Sequence, residues 1–291
     1  MRPVLVVGDL ATDVVAVLDG EPAPGSDRPA SIRIRGGGAA ANVAAHLGRL
    51  GVPVLLAGCV GDDAAGTALT AELAAAGVGL RVRTVPGAST GTIVSLVGAG
   101  GQRSMLADRG ANLELRPYDV PDLPTGGHLH LSGYTLFEQP PRAAGLAALA
   151  AAAAAGCTVS VDPASTGPLT AYGVERWLVD TAAATLVLPN ADEARLLTGC
   201  ADVTDAARAL AGRHPAVAVS LGADGALWAA GAVLVHRPAH AASVVDTTGA
   251  GDAFTAGLLS VWLADPNADP AAALDAGLAL AAHVVGRAGA R

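Results

Sequence analysis

Short runs of Val and Leu alternate along the chain with longer stretches rich in Ala and Leu, and that alternation predicts buried strands separated by helices. Strands are predicted at residues 4–8, 54–58, 128–132, 158–162, 186–189 and 216–221. Helices are predicted at 40–50, 64–76, 142–155, 191–197, 206–213, 253–263 and 271–285. Strands apolar on both faces and linked by helices belong to a mostly parallel sheet covered on both sides, so the predicted fold class is doubly wound α/β. The Ala-rich stretch 143–155 looks low in complexity, yet alanine is the strongest helix former and Gly156 supplies a stop.

Two segments break this rhythm. Residues 14–18 with 31–35, and 92–97 with 102–107 across the turn Gly98-Ala99-Gly100-Gly101, have strand character and no helix after them. The alternation in Ser31-Ile32-Arg33-Ile34-Arg35 suits a sheet with one covered face. Together they predict a small β-sheet lid, formed by insertions at about 13–35 and 90–108, on one domain spanning 1–291. A lid whose apolar face the main domain does not cover favours a homodimer through that face.

Composition then narrows the partners. The 291 residues are 52% hydrophobic but only 3% aromatic, so the core is built from Ala, Val and Leu. A formal net charge of -8 argues against nucleic acid and anionic membrane surfaces. No lysine occurs, and the 18 basic residues are all arginine. This closes the routes of P-loop NTPases, protein kinases and Schiff-base enzymes, each of which needs its lysine. Cys59, Cys157 and Cys200 lack metal-ligand spacing and read as reduced thiols. The N-terminal apolar run is too short for a signal peptide and no stretch reaches membrane-span length, so a soluble cytoplasmic protein is expected. His128 and His130 fall on one face of a strand without carboxylate or cysteine company, which favours core histidines over metal ligands.

The sharpest chemistry lies near the C-terminus, in Val245-Asp246-Thr247-Thr248-Gly249-Ala250-Gly251-Asp252-Ala253-Phe254. Small residues opening a helix let backbone N–H groups approach a phosphate, and the dipole end of the helix favours the anion. Asp252, in the first turn, stands where a hydroxyl nucleophile would lose its proton. Gly36-Gly37-Gly38 likewise runs into a helix carrying Asn42, whose amide suits a polyhydroxyl ligand, although glycines there also serve simply to turn the chain.

Gly37-Gly38-x-x-x-Asn42 followed by Asp-Thr-Thr-Gly-Ala-Gly-Asp resembles the two signatures of the ribokinase-like (PfkB) carbohydrate kinase family, and the resemblance runs essentially end to end. It implies a doubly wound α/β fold with a β lid and transfer of the ATP γ-phosphoryl group to a primary alcohol of a sugar or nucleoside. Asp252 would be the general base, with Gly249, Ala250, Gly251 and the Asp252 backbone as the anion hole. Asp13, and more weakly Asp9, would accept sugar hydroxyls beside Gly37, Gly38 and Asn42, with Arg103 and Asn112 on or near the lid reading either as further contacts or as surface. Asn190 and Glu193 match an Asn-x-x-Glu motif that organises Mg²⁺ through water, or else are a helix cap and its first-turn acid. Ser220, Gly222 and Gly225 match a nucleotide loop that could also be a plain hairpin turn, and Gly277, Leu278 and Ala281 would flank adenine. Asp246 would help hold a monovalent cation such as K⁺, with backbone oxygens around Thr248, Val285, Ala288 and Ala290; the sequence stops at Arg291, short of a further polar ligand of ribokinases.

Two departures separate the chain from simple ribokinases: Ala39 stands where they usually carry lysine, and no glutamate lies near Ser132-Gly133-Tyr134. The expected activity is therefore ATP-dependent phosphorylation of a small sugar (pentose, hexose or sugar acid). The alternatives are a ribonucleoside of the adenosine or pseudouridine type, with Tyr134 or Phe137 stacking on its base, and a non-catalytic sugar- or nucleotide-binding regulator.

Overall fold

The computed structural model describes residues 2–20, 25–98, 103–123, 125–265, 268–286 and 289–290, with the Arg103 side chain also outside the description. Among the described residues thirteen strands form two sheets. In chain order they are β1 (Val4–Val7), β2 (Ala11–Leu18), β3 (Ala30–Gly37), β4 (Val54–Gly61), β5 (Gly79–Val85), β6 (Gly91–Val97), β7 (Arg103–Asp108), β8 (His128–Ser132), β9 (Thr158–Asp162), β10 (Leu186–Val187), β11 (Ala216–Ser220), β12 (Ala226–Ala230) and β13 (Val233–Arg237). The nine-stranded sheet runs β13-β12-β11-β10-β9-β8-β1-β4-β5. It is parallel from β11 to β5, and β12 and β13 add an antiparallel edge.

All four residues of β1 are buried, with Val4 and Val6 in one core and Leu5 and Val7 in the other. A strand pleat sends neighbours to opposite faces, so a continuous apolar run requires helices above and below. Leu258 and Leu274, from helices Ala250–Trp262 and Pro270–Val285, pack on one face; Leu149 and Leu197, from Pro141–Ala154 and Ala191–Thr198, pack on the other. The Ala-rich helix ends as expected, with Gly156 at φ 63 just past its C-cap.

Every predicted core strand and helix is present with small shifts at its ends, whereas β5, β12 and β13 and the helices Tyr134–Phe137, Thr166–Tyr172 and Val174–Asp180 were not singled out by pattern. The reasons are local. β5 alternates Leu80 and Val82 with Arg81 and Arg83 as an edge strand would, and three of the five residues of β12 are alanine, a weak strand former stabilised here by pairing on both sides.

The four-stranded sheet, β3-β2-β6-β7, is the predicted lid. Its turn at residues 99–102 lies outside the described residues. Register places Val14, Ile34 and Val94 side by side, then Ala16, Ile32 and Leu96, with Leu106 opposite Val94. This face is apolar, and Ile34 keeps 69% of its surface exposed. Asp13 and Arg35 share the opposite face.

Candidate active site

In an open parallel sheet, ligands bind beyond the carboxyl ends of the strands where the strand order reverses. Here the chain leaves β1 towards β4 on one side and later returns to pair β8 on the other. Asp9 follows β1, Ser132 ends β8, Asp162 ends β9, Asn190 follows β10 and Ser220 ends β11, so the candidate residues line up along one edge of the sheet.

Helix Ala39–Arg49 starts at Gly38, which has no side chain to cap it and holds φ 91. Asp9 does the capping instead: its Oδ2 accepts from Ala39 N at 3.0 Å, and its Oδ1 accepts from Ser132 Oγ at 2.8 Å. Asp9 therefore ties β1, β8 and this helix together, while Asp13 reaches the site from the lid with its carboxylate against the bare Cα of Gly37. A side chain at position 38 would come within 2.6 Å of the Asp9 carbonyl, so glycine is required there. Asn112, read from sequence as either a further contact or surface, spends both ends of its amide on Leu10 and Arg109 backbone.

Asn42 enters on the first turns of that helix, 3% exposed, and donates from Nδ2 to Asp252 Oδ2 at 2.7 Å. Its Oδ1 is buried with no partner among the described residues. Asp252 lies in the first turn of helix Ala250–Trp262, which opens at Gly249 with φ 74. Ala250 N leans back on the Thr247 carbonyl at 3.3 Å, and among the described residues nothing accepts from the Gly251 and Asp252 amides. Those donors and the dipole end form an anion cradle next to the Asp252 carboxyl.

The electrostatics concentrate on this carboxyl. Burial pushes the Asp252 pKa well above the usual carboxylate range, the Asn42 hydrogen bond pulls it back in part, and Asp162, Asp9 and Asp13 push it up again. Burial also raises Asp162 to about 6 and Glu193 to about 8, with Asp162 adding to the rise at Glu193. Asp162 was not found by sequence reasoning; a lone acid at a strand end has no local signature, and only the neighbouring strands bring it close to Asp252 and Glu193. His128 and His130, buried and hydrogen-bonded to Thr158 and Ser160, are core residues as expected, and burial holds His130 down at about 4.

Asn190 caps helix Ala191–Thr198 through its Oδ1, and Glu193 Oε2 accepts from Asn190 N at 2.9 Å. This is a complete capping box, so the structural alternative for the motif is realised, and it leaves the Glu193 carboxylate buried beside Asp162. Among the described residues no three His, Cys, Asp or Glu side chains converge as a cage for a metal. Buried carboxylates without a cage would suit an Mg²⁺ ion that keeps its own water, which Glu193 and Asn190 could hold.

The monovalent cation fares differently. Asp246 Oδ1 accepts from Thr248 N and Oγ1, and its Oδ2 accepts from Gly289 N. The Val285 carbonyl accepts from the Val245 and Asp246 amides, and the Ala290 carbonyl accepts from His46 Nε2. Ala288 lies outside the described residues. Both Asp246 carboxylate oxygens and the Val285 and Ala290 carbonyls thus already accept from N–H or O–H donors of the protein.

Beside the cradle lies a cavity of about 460 Å³. Ser220, Gly222 and Gly225 form one wall, Leu278 and Ala281 another, and Ala250 and Gly251 close the end towards Asp252. The turn Gly222–Asp224 is indeed a hairpin turn, joining β11 to antiparallel β12, and it lines the cavity as well. Gly277, expected to flank adenine, instead lies under Phe254: a Cβ there would come within 2.7 Å of that ring, so its role is close helix packing. The volume and apolar lining suit a nucleotide base.

A parallel sheet, an anion cradle at a helix start, an inward-facing carboxyl and an adjoining apolar cavity define the class of small-molecule phosphotransferases on a doubly wound α/β fold. The pattern of pfkB family carbohydrate kinases matches residues 1–291. The chain is 35% identical over 303 residues to the ATP-dependent ribose-1-phosphate kinase of Halopiger xanaduensis, covering 100% of this chain and 94% of that relative. It is 34% identical to a fructokinase of Klebsiella pneumoniae over 84% of this chain and 82% of the other. Adenosine kinase from Sinorhizobium meliloti superposes with a TM-score of 0.87 at 27% identity, covering 100% of this chain and 95% of that one. The chain belongs to the PfkB family and is an ATP-binding carbohydrate kinase of the sugar and nucleoside branch of phosphotransferases. Among the described residues no helix is long and apolar enough to cross a membrane.

Proposed function

We propose that the protein transfers the γ-phosphoryl group of ATP to a primary hydroxyl of a small sugar, with Asp252 as general base. The observation that carries this reading is the Asn42–Asp252 bond at 2.7 Å beside the Gly251 and Asp252 amides, from which nothing accepts among the described residues. The charged carboxylate, kept from protonation in part by Asn42, takes the hydroxyl proton as that oxygen bonds to the γ-phosphorus and the bond to ADP breaks. Gly249, Ala250 and Gly251 would meet the developing charge with backbone dipoles already in place. Asp13 and the orphan Asn42 Oδ1 would engage sugar hydroxyls, with Asp9 holding the helix that carries Asn42. Ser220, Gly222, Gly225, Leu278 and Ala281 would hold the nucleotide. Bound Mg²⁺ would neutralise phosphate charge, its waters held by Glu193 and Asn190. The Arg103 side chain, the remaining substrate candidate, lies outside the described residues.

The acceptor is a sugar of pentose or hexose size, or its acid or phosphate; the Halopiger relative is named for ribose 1-phosphate. A riboside acceptor has support in the adenosine kinase likeness, but Arg109 stacks on the Tyr134 ring at 3.9 Å and must leave before a base could stack there. The lid's exposed apolar face, with Ile32 and Ile34, is where a second copy would pair. Three free cysteines suit a reducing cytoplasm.

The test is ADP release with ribose, ribose 1-phosphate, fructose, a keto-deoxy sugar acid and adenosine. Asp252→Asn should cut turnover with the accepted substrate by roughly 10²–10⁴-fold while nucleotide binding changes little. Near-full turnover in that variant would remove Asp252 from its role.

A further inference from the structure

The C-terminal residues Gly289 and Ala290 touch the candidate site in ways the reaction itself does not use. Gly289 N donates to Asp246 Oδ2 at 3.1 Å. Ala290, 1% exposed, packs on Gly249, where an added Cβ would come within 2.6 Å of it. Its carbonyl receives the His46 Nε2 at 3.1 Å. A carbonyl only accepts, so the proton of His46 sits on Nε2.

His46 is 5% exposed and follows Asn42 by one helical turn, so both project from one face of helix Ala39–Arg49. That face makes two bonds across the reaction centre. Asn42 holds the Asp252 carboxylate, and His46 holds the segment that lies against the start of the anion cradle. Gly249 sets the aim of the following amides, and nothing in its own side chain can fix it. Around this turn both Asp246 carboxylate oxygens and the Val285 and Ala290 carbonyls carry hydrogen bonds from the protein.

We propose that His46 is a positioning residue: its bond to the Ala290 carbonyl presses the C-terminal segment onto Gly249 and keeps the amides of Ala250, Gly251 and Asp252 aimed. The turnover arm of the test rests on the kinase reading; the exchange arm does not. Misplacement of a reacting group by about 1 Å can cost ~100-fold in rate, so a short bond far from the chemistry has leverage.

The experiment compares His46→Ala with His46→Gln, whose amide nitrogen falls close to the position of Nε2. In the absence of substrate, hydrogen exchange of the segment 245–252 should be roughly 10-fold faster in the alanine variant and near wild type in the glutamine variant. With ATP and the accepted sugar, His46→Ala should lose about 10- to 100-fold in kcat with little change in the KM for ATP, and His46→Gln should recover most of it. Unchanged exchange in His46→Ala, or failure of glutamine to restore it, would each overturn the proposal. If alanine at this position prevents folding, His46→Asn, whose amide falls short of Ala290, takes its place with the same expected outcome. Should no acceptor be phosphorylated, the kinase reading falls alone, and the exchange arm still decides the role of His46.

Discussion

Replacing Asn42 with alanine separates two effects that one side chain combines. The amide donates to the Asp252 carboxylate at 2.7 Å, and it also presents a buried, unpartnered Oδ1 towards the proposed sugar. A hydrogen bond to a charged group contributes about 1.5–3 kcal/mol, which corresponds to a loss of ~10- to 150-fold in kcat/KM. Donation favours the charged carboxylate, so its removal drives the Asp252 pKa further upward in a site where burial and Asp162 already raise it. Less of the base is then charged at low pH. The acid limb of the kcat/KM profile should move to higher pH, and the deficit of Asn42→Ala should narrow as pH rises, leaving a residual loss from the missing sugar contact. ATP dissociation, measured separately, should stay at the wild-type value because Asn42 does not line the nucleotide cavity. A deficit that is the same at every pH, with the acid limb unmoved, would refute the claim that Asn42 sets the protonation of Asp252.

Other expectations follow from particular contacts. Gly277→Val should destabilise the fold by about 1–3 kcal/mol through overpacking, read as a lower melting temperature, and weaken ATP, because the new side chain displaces Phe254 from the cavity wall; unchanged ATP affinity by calorimetry would contradict this. Glu193, about 8 when folded against an ordinary 4.5, binds more protons folded than unfolded between those values, so stability of the ligand-free protein should fall as pH rises from 4.5 to 8. Glu193→Gln should flatten that slope in thermal melts, and an unaltered slope would assign it elsewhere. Hydrogen exchange in residues 31–35 and 92–97 should slow when the sugar binds, and Ile34→Glu should shift sedimentation to a monomer; equal exchange with and without saturating sugar would remove the lid from the mechanism.

Much was legible in the sequence because two of its signals are local. Period and length distinguish a strand apolar on both faces from a helix, so the parallel core from Val4–Val7 to Ala216–Ser220 could be read one segment at a time. Glycine turns that open helices also carry their chemistry in consecutive residues, which is why Gly249 to Asp252 and Gly37 to Asn42 stood out. The lid strands were legible as breaks in the βα rhythm, though their shared apolar face exists only through the register of β3, β2, β6 and β7. Tertiary structure alone decided which acids meet. Asp9 looked like a ligand and is the cap of a glycine-started helix; Asp162 carried no motif and lies beside the base; Gly277 looked like a pocket residue and is a packing contact. His46 was one histidine in an Ala-rich helix until the fold brought residue 290 back across 244 positions to meet it. Burial, repulsion between carboxylates and hydrogen bonds between distant segments depend on distances that no local pattern encodes, and those are the terms that set the protonation of Asp252 and the aim of the cradle beside it.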